Sequence, residues 1–270
     1  PMKRALIVAD PGMVQFGFVD TVYAQLALRD EKVETSLYGT IKPDPTLGQT
    51  IEIAKQMREF KPDTVIAIGG GSAIDASKIA RLIYEVSLDR GAEFLDSYDA
   101  VSEFFLELQQ KFIDIRKRIV KFKHQTATRL FCIPTTSGTG AEITPFAVIT
   151  DDYTHVKYPL ADYELVPQVA IVDPEFVMTV PKRTAAWSGL DALSHALESY
   201  VSVMASDFTR PWSLEAIKLI MENLEDAYNY DPKNPTLRGE KAKENMHYAA
   251  AIAGMAFGNA FLGINHSLAH

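Results

Sequence analysis

The sequence predicts an α/β domain with a doubly wound parallel sheet over residues 1–180, followed by an all-helical domain over residues 181–270. Three observations carry this. Short β-rich apolar runs alternate with helical patterns through the first half. Runs such as Thr64 to Ile68 are continuously apolar, which suits strands buried on both faces of a parallel sheet. Beyond Pro181 only helical periodicity remains. Alternation of this kind implies parallel strands joined by crossover helices.

Each element follows from its local pattern. Arg4 to Ala9 is a short apolar run closed by Asp10-Pro11-Gly12, a turn signal. Gly17 to Leu28 has helical spacing, and Val33 to Tyr38 reads as a second strand. Pro43-Asp44-Pro45-Thr46 caps a helix that runs to Phe60. Thr64 to Ile68 is the third strand, and a helix follows from Ser72 to Tyr84. Residues 91–123 form a helical, charge-rich stretch. Its basic cluster, Arg116-Lys117-Arg118 and Lys121, reads as a solvated face or as a contact to cofactor phosphates or another subunit. Arg129 to Ile133 is a strand stopped by Pro134. Ala147 to Thr150, Tyr158 to Leu160 and Val169 to Val172 are further short strands. Thr184 to Ala205, Pro211 to Tyr228 and Glu240 to His270 read as helices. The domain boundary is expected near Val180.

Composition narrows the function. Apolar residues make up 47% of the chain, enough for a sizeable core. The net charge of -8 argues against a nucleic-acid partner, which would favour a basic face. No apolar run reaches the length of a membrane span, so no membrane partner is expected. The first residues lack the apolar core of a signal peptide, and the single cysteine, Cys132, cannot make an internal disulfide. A cytoplasmic location is therefore expected. Cys132 sits mid-strand among apolar neighbours and reads as an inert packing thiol. Pro1 stands almost on a strand and His270 ends a helical pattern with no cap, so the chain is expected to be a fragment.

Two loops carry binding chemistry. Gly69-Gly70-Gly71-Ser72 lies between a strand and a helix. Glycines let the backbone approach a ligand, and the helix N-terminus offers N–H groups to a phosphate. Ser72 either caps this helix or bonds a phosphate oxygen, and Asp75 is spaced to complete a capping box. A tight turn with an ordinary cap is the plainer alternative. The second loop runs from Pro134 to Glu142 and holds four hydroxyls, Thr135, Thr136, Ser137 and Thr139, with two glycines. It suits a pyrophosphate or ribose, or is a polar surface turn. Ligands of open α/β sheets sit outside the carboxyl ends of the strands, where both loops fall. The usual G-x-G-x-x-G after the first strand is absent.

Asp191 and His195 are spaced i, i+4 within a helical segment, and His266 and His270 repeat that spacing. Such pairs share a helix face. A carboxylate with imidazoles suits Fe²⁺ or Zn²⁺. Surface pairs or satisfied core histidines are the alternatives. Glu198 and Asn265 are candidate supporting partners, or exposed polar residues. The other histidines, His124, His155 and His247, stand among polar residues and read as surface groups. Phe146, Phe257 and Phe261 are expected to wall an apolar pocket or simply to pack.

At this point a resemblance is clear. The stretches GGGSAIDASKIA (69–80), PTTSGTGAEITPFAVITD (134–151), KYPLADYELVPQVAIVDPEFVMTVPKRTAAWSGLDALSHALESYVS (157–202) and AGMAFGNAFLGINHSLAH (253–270) resemble the iron-containing alcohol dehydrogenases. The likeness is strongest to the alcohol dehydrogenase half of the bacterial bifunctional acetaldehyde–alcohol dehydrogenases. FIDIRKRIVKF (112–122) is similar to an insertion of those enzymes. The resemblance implies a Rossmann-like dinucleotide-binding domain, an all-helical domain, and reduction of acetaldehyde or a similar short aldehyde with NADH, and the reverse. It implies Asp191, His195 and His266 as ligands of Fe²⁺, with Zn²⁺ as the alternative, and His270 as a proton-transfer group beside the nicotinamide. Gly70, Gly71 and Ser72 match the pyrophosphate turn. Thr135, Thr136 and Thr139 match further cofactor contacts, and Lys157 a lysine near the nicotinamide ribose. A homo-oligomer is implied, and filaments for the full-length relatives.

Two departures stand out. The family's fourth ligand is a histidine that would fall beyond His270. Many NAD-preferring members carry an acidic residue at the end of the second strand, where this chain has Gly39. Within enzymes the rival is a glycerol-type polyol dehydrogenase of the same fold. From another class the rival is a non-catalytic assembly module.

Overall fold

The computed structural model describes residues 2–113 and 128–269. The basic cluster from Arg116 to Lys121, His124 and His270 lie outside the described residues. Contacts divide the chain into two compact units. The first is Pro1–Cys132 with Pro145–Ala170, and the second is Ile133–Thr144 with Ile171–His270. The expected boundary near Val180 assumed one cut, whereas these units interleave, because the threonine-rich segment groups with the helices.

The first unit is built on a five-stranded sheet in the order β2-β1-β3-β4-β7. Its strands are β1 (Arg4–Ala9), β2 (Glu34–Tyr38), β3 (Thr64–Gly69), β4 (Arg129–Pro134) and β7 (Val169–Ala170). β1 pairs in parallel with both β2 and β3, with Ile7 opposite Leu37 and Ile66. The strand order reverses between β1 and β3, and the crevice at such a switch point is where dinucleotides bind. Leu6, Ile7, Val8, Ala67 and Ile68 are fully buried, as strands covered on both faces require. A separate antiparallel hairpin joins β5 (Phe146–Thr150) to β6 (Lys157–Ala161).

Helices α2 (Phe18–Ala27), α3 (Leu47–Phe60), α4 (Gly71–Arg90) and α5 (Tyr98–Ile113) complete this unit with a short α1 (Pro11–Gln15). The turn expected at Asp10-Pro11-Gly12 is instead a helix start. The Asp10 carboxylate accepts from the N–H groups of Gly12 and Met13 at 2.8 and 3.2 Å, and Pro11 takes the first helical position. Thr46 caps α3 as its sequence predicts. α4 is buried from Ala73 to Ser87 apart from the half-buried Asp75, and it carries two fully buried cations. Lys78 donates to the Phe146 carbonyl at 2.6 Å, and Arg81 donates to Gln168 Oε1 at 2.7 Å and to the Glu164 carbonyl. Charge-assisted bonds of this kind offset the desolvation of the cations and tie α4 to the hairpin and the 164–168 segment.

The second unit packs α6 (Lys182–Val201), α7 (Arg210–Asn229) and α8 (Leu237–Ala260), with a short α9 (Ile264–Ala269) against α6. Its core is rich in small residues: Ala192, Ala227, Ala242, Ala249 and Ala250 around Ile220 and Met246. Gly189 lets α6 approach closely, since a Cβ there would lie 2.5 Å from the Leu224 side chain. The single helix expected from Glu240 to His270 is broken. Phe261 adopts φ 64°, a left-handed conformation that ends α8, and Gly263 follows before α9 begins. No described helix is long and apolar enough to cross a membrane.

Candidate metal centre

α6 presents Asp191, His195 and Glu198 at i, i+4 and i+7, one face of a helix. The opposite requirement, packing, is met by Ala192, Ala196 and Ser199. α9 brings in His266, which the break at Phe261 to Gly263 re-aims. Glu198 holds that short helix: its carboxylate accepts from the N–H groups of Asn265 and His266 at 2.6 and 3.4 Å. A carboxylate at a helix N-terminus is favourably placed.

One ligand atom from each of Asp191, His195 and His266 lies within 4.8 Å of the others. Both Nε2 atoms approach the same Asp191 Oδ1, at 3.7 Å from His195 and 3.6 Å from His266. These separations are too long for hydrogen bonds. They are close to those of ligand atoms sharing an ion, since bonds of about 2.0–2.2 Å set neighbours about 3.0–3.5 Å apart. Each ring is oriented through its other nitrogen. His195 Nδ1 lies 3.3 Å from the Gly138 carbonyl, and His266 Nδ1 bonds the Glu198 carboxylate. Anchoring Nδ1 in this way leaves Nε2 as the lone-pair atom toward the cluster, the usual support of a metal-binding histidine. A carboxylate oxygen and two imidazoles fit a borderline divalent ion such as Fe²⁺ or Zn²⁺.

The rings also stack. His195 lies between Phe257 and His266, with centroid distances of 4.3 and 4.4 Å and interplanar angles of 22° and 17°. Burial pulls the His195 pKa down to about 4, against the pull of Asp191. Burial also acts to lower His266, but Asp191 and Glu198 outweigh it and raise that pKa above the ordinary 6.5. Burial acts to raise Glu198, and its bond with His266 and three backbone N–H groups instead hold it below the usual range.

The other predicted residues fall as follows. Gly70 is the residue before α4, in extended conformation with no side chain capping the helix, and Gly71 and Ser72 form its first turn. The capping box expected of Ser72 and Asp75 does not form. Asp75 instead accepts from the Val148 N–H at 3.0 Å and lies 3.9 Å from Lys78 Nζ, and burial raises its pKa to about 6. Gly39 directly follows β2. Lys157 is partly exposed and pairs with Asp44 at 2.6 Å. Thr135 is buried, Thr136 and Thr139 are half-buried, and the Thr139 hydroxyl accepts from the Ala141 N–H at 3.3 Å. Asn265 contributes its backbone N–H to Glu198, while the residue itself is exposed. Phe261 shapes the helix break, and Phe146 lies on β5 with its carbonyl held by Lys78. Cys132 is fully buried.

His155 is exposed, as expected, but His247 is 1% exposed, contrary to its reading as a surface group. Its Nδ1 lies 3.2 Å from Ser137 Oγ. Polar neighbours in sequence concealed the buried stripe Lys243, His247, Ala250 and Gly254, whose 4-3-4 steps were the available signal.

The chain matches the family profile "Iron-containing alcohol dehydrogenase" over residues 1–174, and "Fe-containing alcohol dehydrogenase family, C-terminal" over residues 185–270. It is 49% identical to an aldehyde-alcohol dehydrogenase of Streptococcus pneumoniae, over 100% of this chain and 28% of that protein. It is 40% identical to an NADPH-dependent butanol dehydrogenase of Clostridium saccharobutylicum, over 99% of this chain and 61% of the relative. Among solved structures, an iron-containing alcohol dehydrogenase from Thermococcus thioreducens superposes with a TM-score of 0.80 at 32% identity. The chain covers 64% of that structure with 100% of its own length.

Proposed function

This chain belongs to the iron-containing alcohol dehydrogenase family, and from that premise we propose that it supports the metal-dependent interconversion of a short aldehyde, such as acetaldehyde, and its primary alcohol. The observation that carries the proposal is the convergence of Asp191 Oδ1 with the two Nε2 atoms of His195 and His266, each ring oriented through Nδ1. We assign Asp191, His195 and His266 as ligands, with Fe²⁺ the proposed ion and Zn²⁺ the alternative. A bound divalent ion supplies a Lewis acid that lowers the pKa of an alcohol oxygen or polarises an aldehyde carbonyl.

The chain's own residues prepare that chemistry. Burial keeps His195 neutral down to about pH 4, so it stays a lone-pair donor throughout the working range. Phe257 covers one face of His195 and keeps water from it. Glu198 fixes the His266 tautomer. For the dinucleotide we propose Gly70, Gly71, Ser72, Thr135, Thr136, Thr139 and Lys157. A bound dinucleotide would supply the hydride acceptor for alcohol oxidation, and His270 is proposed from sequence to carry the proton released with it. NAD is the proposed cofactor. Gly39 offers no carboxylate to repel a 2′-phosphate, so NADP is the second arm of the assay. A cytoplasmic, self-associating protein completes the proposal.

The test is metal content by mass spectrometry after oxygen-free purification, alongside ethanol-dependent NADH formation. Roughly one ion per chain, lost on His266→Ala together with activity, is the expected result. A His266→Ala protein that keeps both its metal and its activity overturns the ligand assignment.

A further inference from the structure

We infer that the Ser137–His247 pair is a positioning device for the metal centre, holding the threonine-rich loop so that the Gly138 carbonyl sets the ring of His195. The inference rests on the metal-binding reading of Asp191, His195 and His266.

His195 is sandwiched between Phe257 and His266. Stacking on both faces fixes the plane of the ring. It does not decide whether Nε2 or Cε1 faces Asp191, because a half-turn about the Cβ–Cγ bond exchanges these atoms and preserves both stacks. The Gly138 carbonyl breaks that symmetry by taking Nδ1 at 3.3 Å. The position of this carbonyl therefore decides whether Nε2 is presented to the site.

The loop carrying Gly138 has two steric stops. A Cβ on Gly138 would lie 2.7 Å from the Ser188 Cβ, and one on Gly140 would lie 2.8 Å from the Gly254 Cα. Gly140 also adopts φ 59°, which favours glycine. Stops of this kind prevent the loop from moving inward and do nothing to prevent it from moving out. The residue next to Gly138 supplies an attraction, since Ser137 Oγ lies 3.2 Å from His247 Nδ1. His247 is buried on α8 at 1% exposure, and burial pulls its pKa to about 4, so its ring is neutral. Its Nε2 has no hydrogen-bond partner among the described residues. An orphan acceptor is tolerated better than an orphan N–H, which favours the tautomer that donates from Nδ1 to Ser137. The bond thus has a defined direction.

The test replaces the natural ion with Co²⁺, reading its dissociation constant by chelator competition and its ligand geometry by visible absorption. Ser137→Ala removes the tether and leaves the packing of His247 intact. Supporting partners of metal-binding histidines are worth about 10–100-fold in affinity, and a tether one bond further out is expected to cost about tenfold. The Ser137→Ala spectrum should change as well. His247→Phe should act in the same direction, and the double variant should bind no more weakly than the weaker single. His247→Asn, which keeps a nitrogen near the Nδ1 position, should restore binding and spectrum. A folded Ser137→Ala protein with wild-type affinity and spectrum overturns the inference, even if His247→Phe fails to fold. If wild type and Asp191→Ala bind Co²⁺ equally poorly, the metal reading itself falls and this inference with it.

Discussion

Replacing Glu198 by glutamine tests the site with the smallest change in shape. In the native chain one carboxylate oxygen accepts from the Asn265 N–H at 2.6 Å, and the other accepts from the His266 backbone and bonds its Nδ1. All three partners on the α9 side therefore require an acceptor. Glutamine offers one acceptor and one donor. If its oxygen keeps the cap of α9, its NH₂ faces His266 Nδ1 and forces the proton of that ring onto Nε2, the atom that faces Asp191. If its oxygen keeps Nδ1, the NH₂ opposes the Asn265 N–H and the start of α9 loses its cap. Either outcome disturbs His266, the proposed ligand. Supporting partners of this type are worth about 10–100-fold in metal affinity, or roughly 1.4–2.7 kcal/mol. Chelator competition on wild type and Glu198→Gln measures this directly. A dissociation constant within about twofold of wild type would show that Glu198 does not set the His266 tautomer, and the reasoning would fail.

Other consequences are independent of that test. Gly140→Ala introduces a Cβ 2.8 Å from the Gly254 Cα at a left-handed residue, and should destabilise the protein by about 2–4 kcal/mol in denaturant unfolding. An unchanged midpoint would mean the two backbones separate easily. Lys243 is buried and its pKa falls to about 8, so its charge is a burden below pH 8 that disappears above its unfolded value. Lys243→Met should therefore stabilise the protein at pH 7 by about 1–2 kcal/mol, after discounting for the bond to the Val180 carbonyl and for partial solvation, and the gain should vanish near pH 10.5. Burial depresses both His195 and His247 to about 4, so the metal-free protein keeps full stability above the unfolded pKa of about 6.5. That stability should fall between pH 6.5 and 4 by up to ~3 kcal/mol per histidine, and a flat profile across this window would contradict their burial as neutral rings.

The sequence made some of this legible and hid the rest for physical reasons. Patterns with a local cause were readable. Thr46 caps α3, β3 is a continuous apolar run before three glycines, and the i, i+4 spacing of Asp191 and His195 puts both on one face. Long-range partners were not. Nothing near Lys78 or Arg81 announces that Phe146, Glu164 and Gln168 will receive them, because those acceptors are 68–87 residues away. The break between α8 and α9 was hidden because the apolar period continues through Phe261, which accepts a left-handed backbone that its residue type disfavours. The Glu198 carboxylate, capping α9 from another helix, accounts for how α9 starts again within three residues.

The same logic explains why a loop leaving the end of a strand groups with the helices. A polar, glycine-rich segment has few apolar side chains with which to bind either unit. Its allegiance is set by backbone groups and by how closely a helix can come. Gly138 and Gly140 remove the two side chains that would hold it off Ser188 and Gly254, and Ser137 and the Gly138 carbonyl supply the polar contacts to His247 and His195. Each of these partners lies on α6 or α8. The residues that a sequence reading assigns to the dinucleotide, Thr135, Thr136 and Thr139, are therefore carried on the same loop whose Gly138 carbonyl meets the proposed ligand His195. Substitutions in this loop should then weaken metal retention even where the dinucleotide is absent, an outcome that a loop serving only the cofactor would not produce.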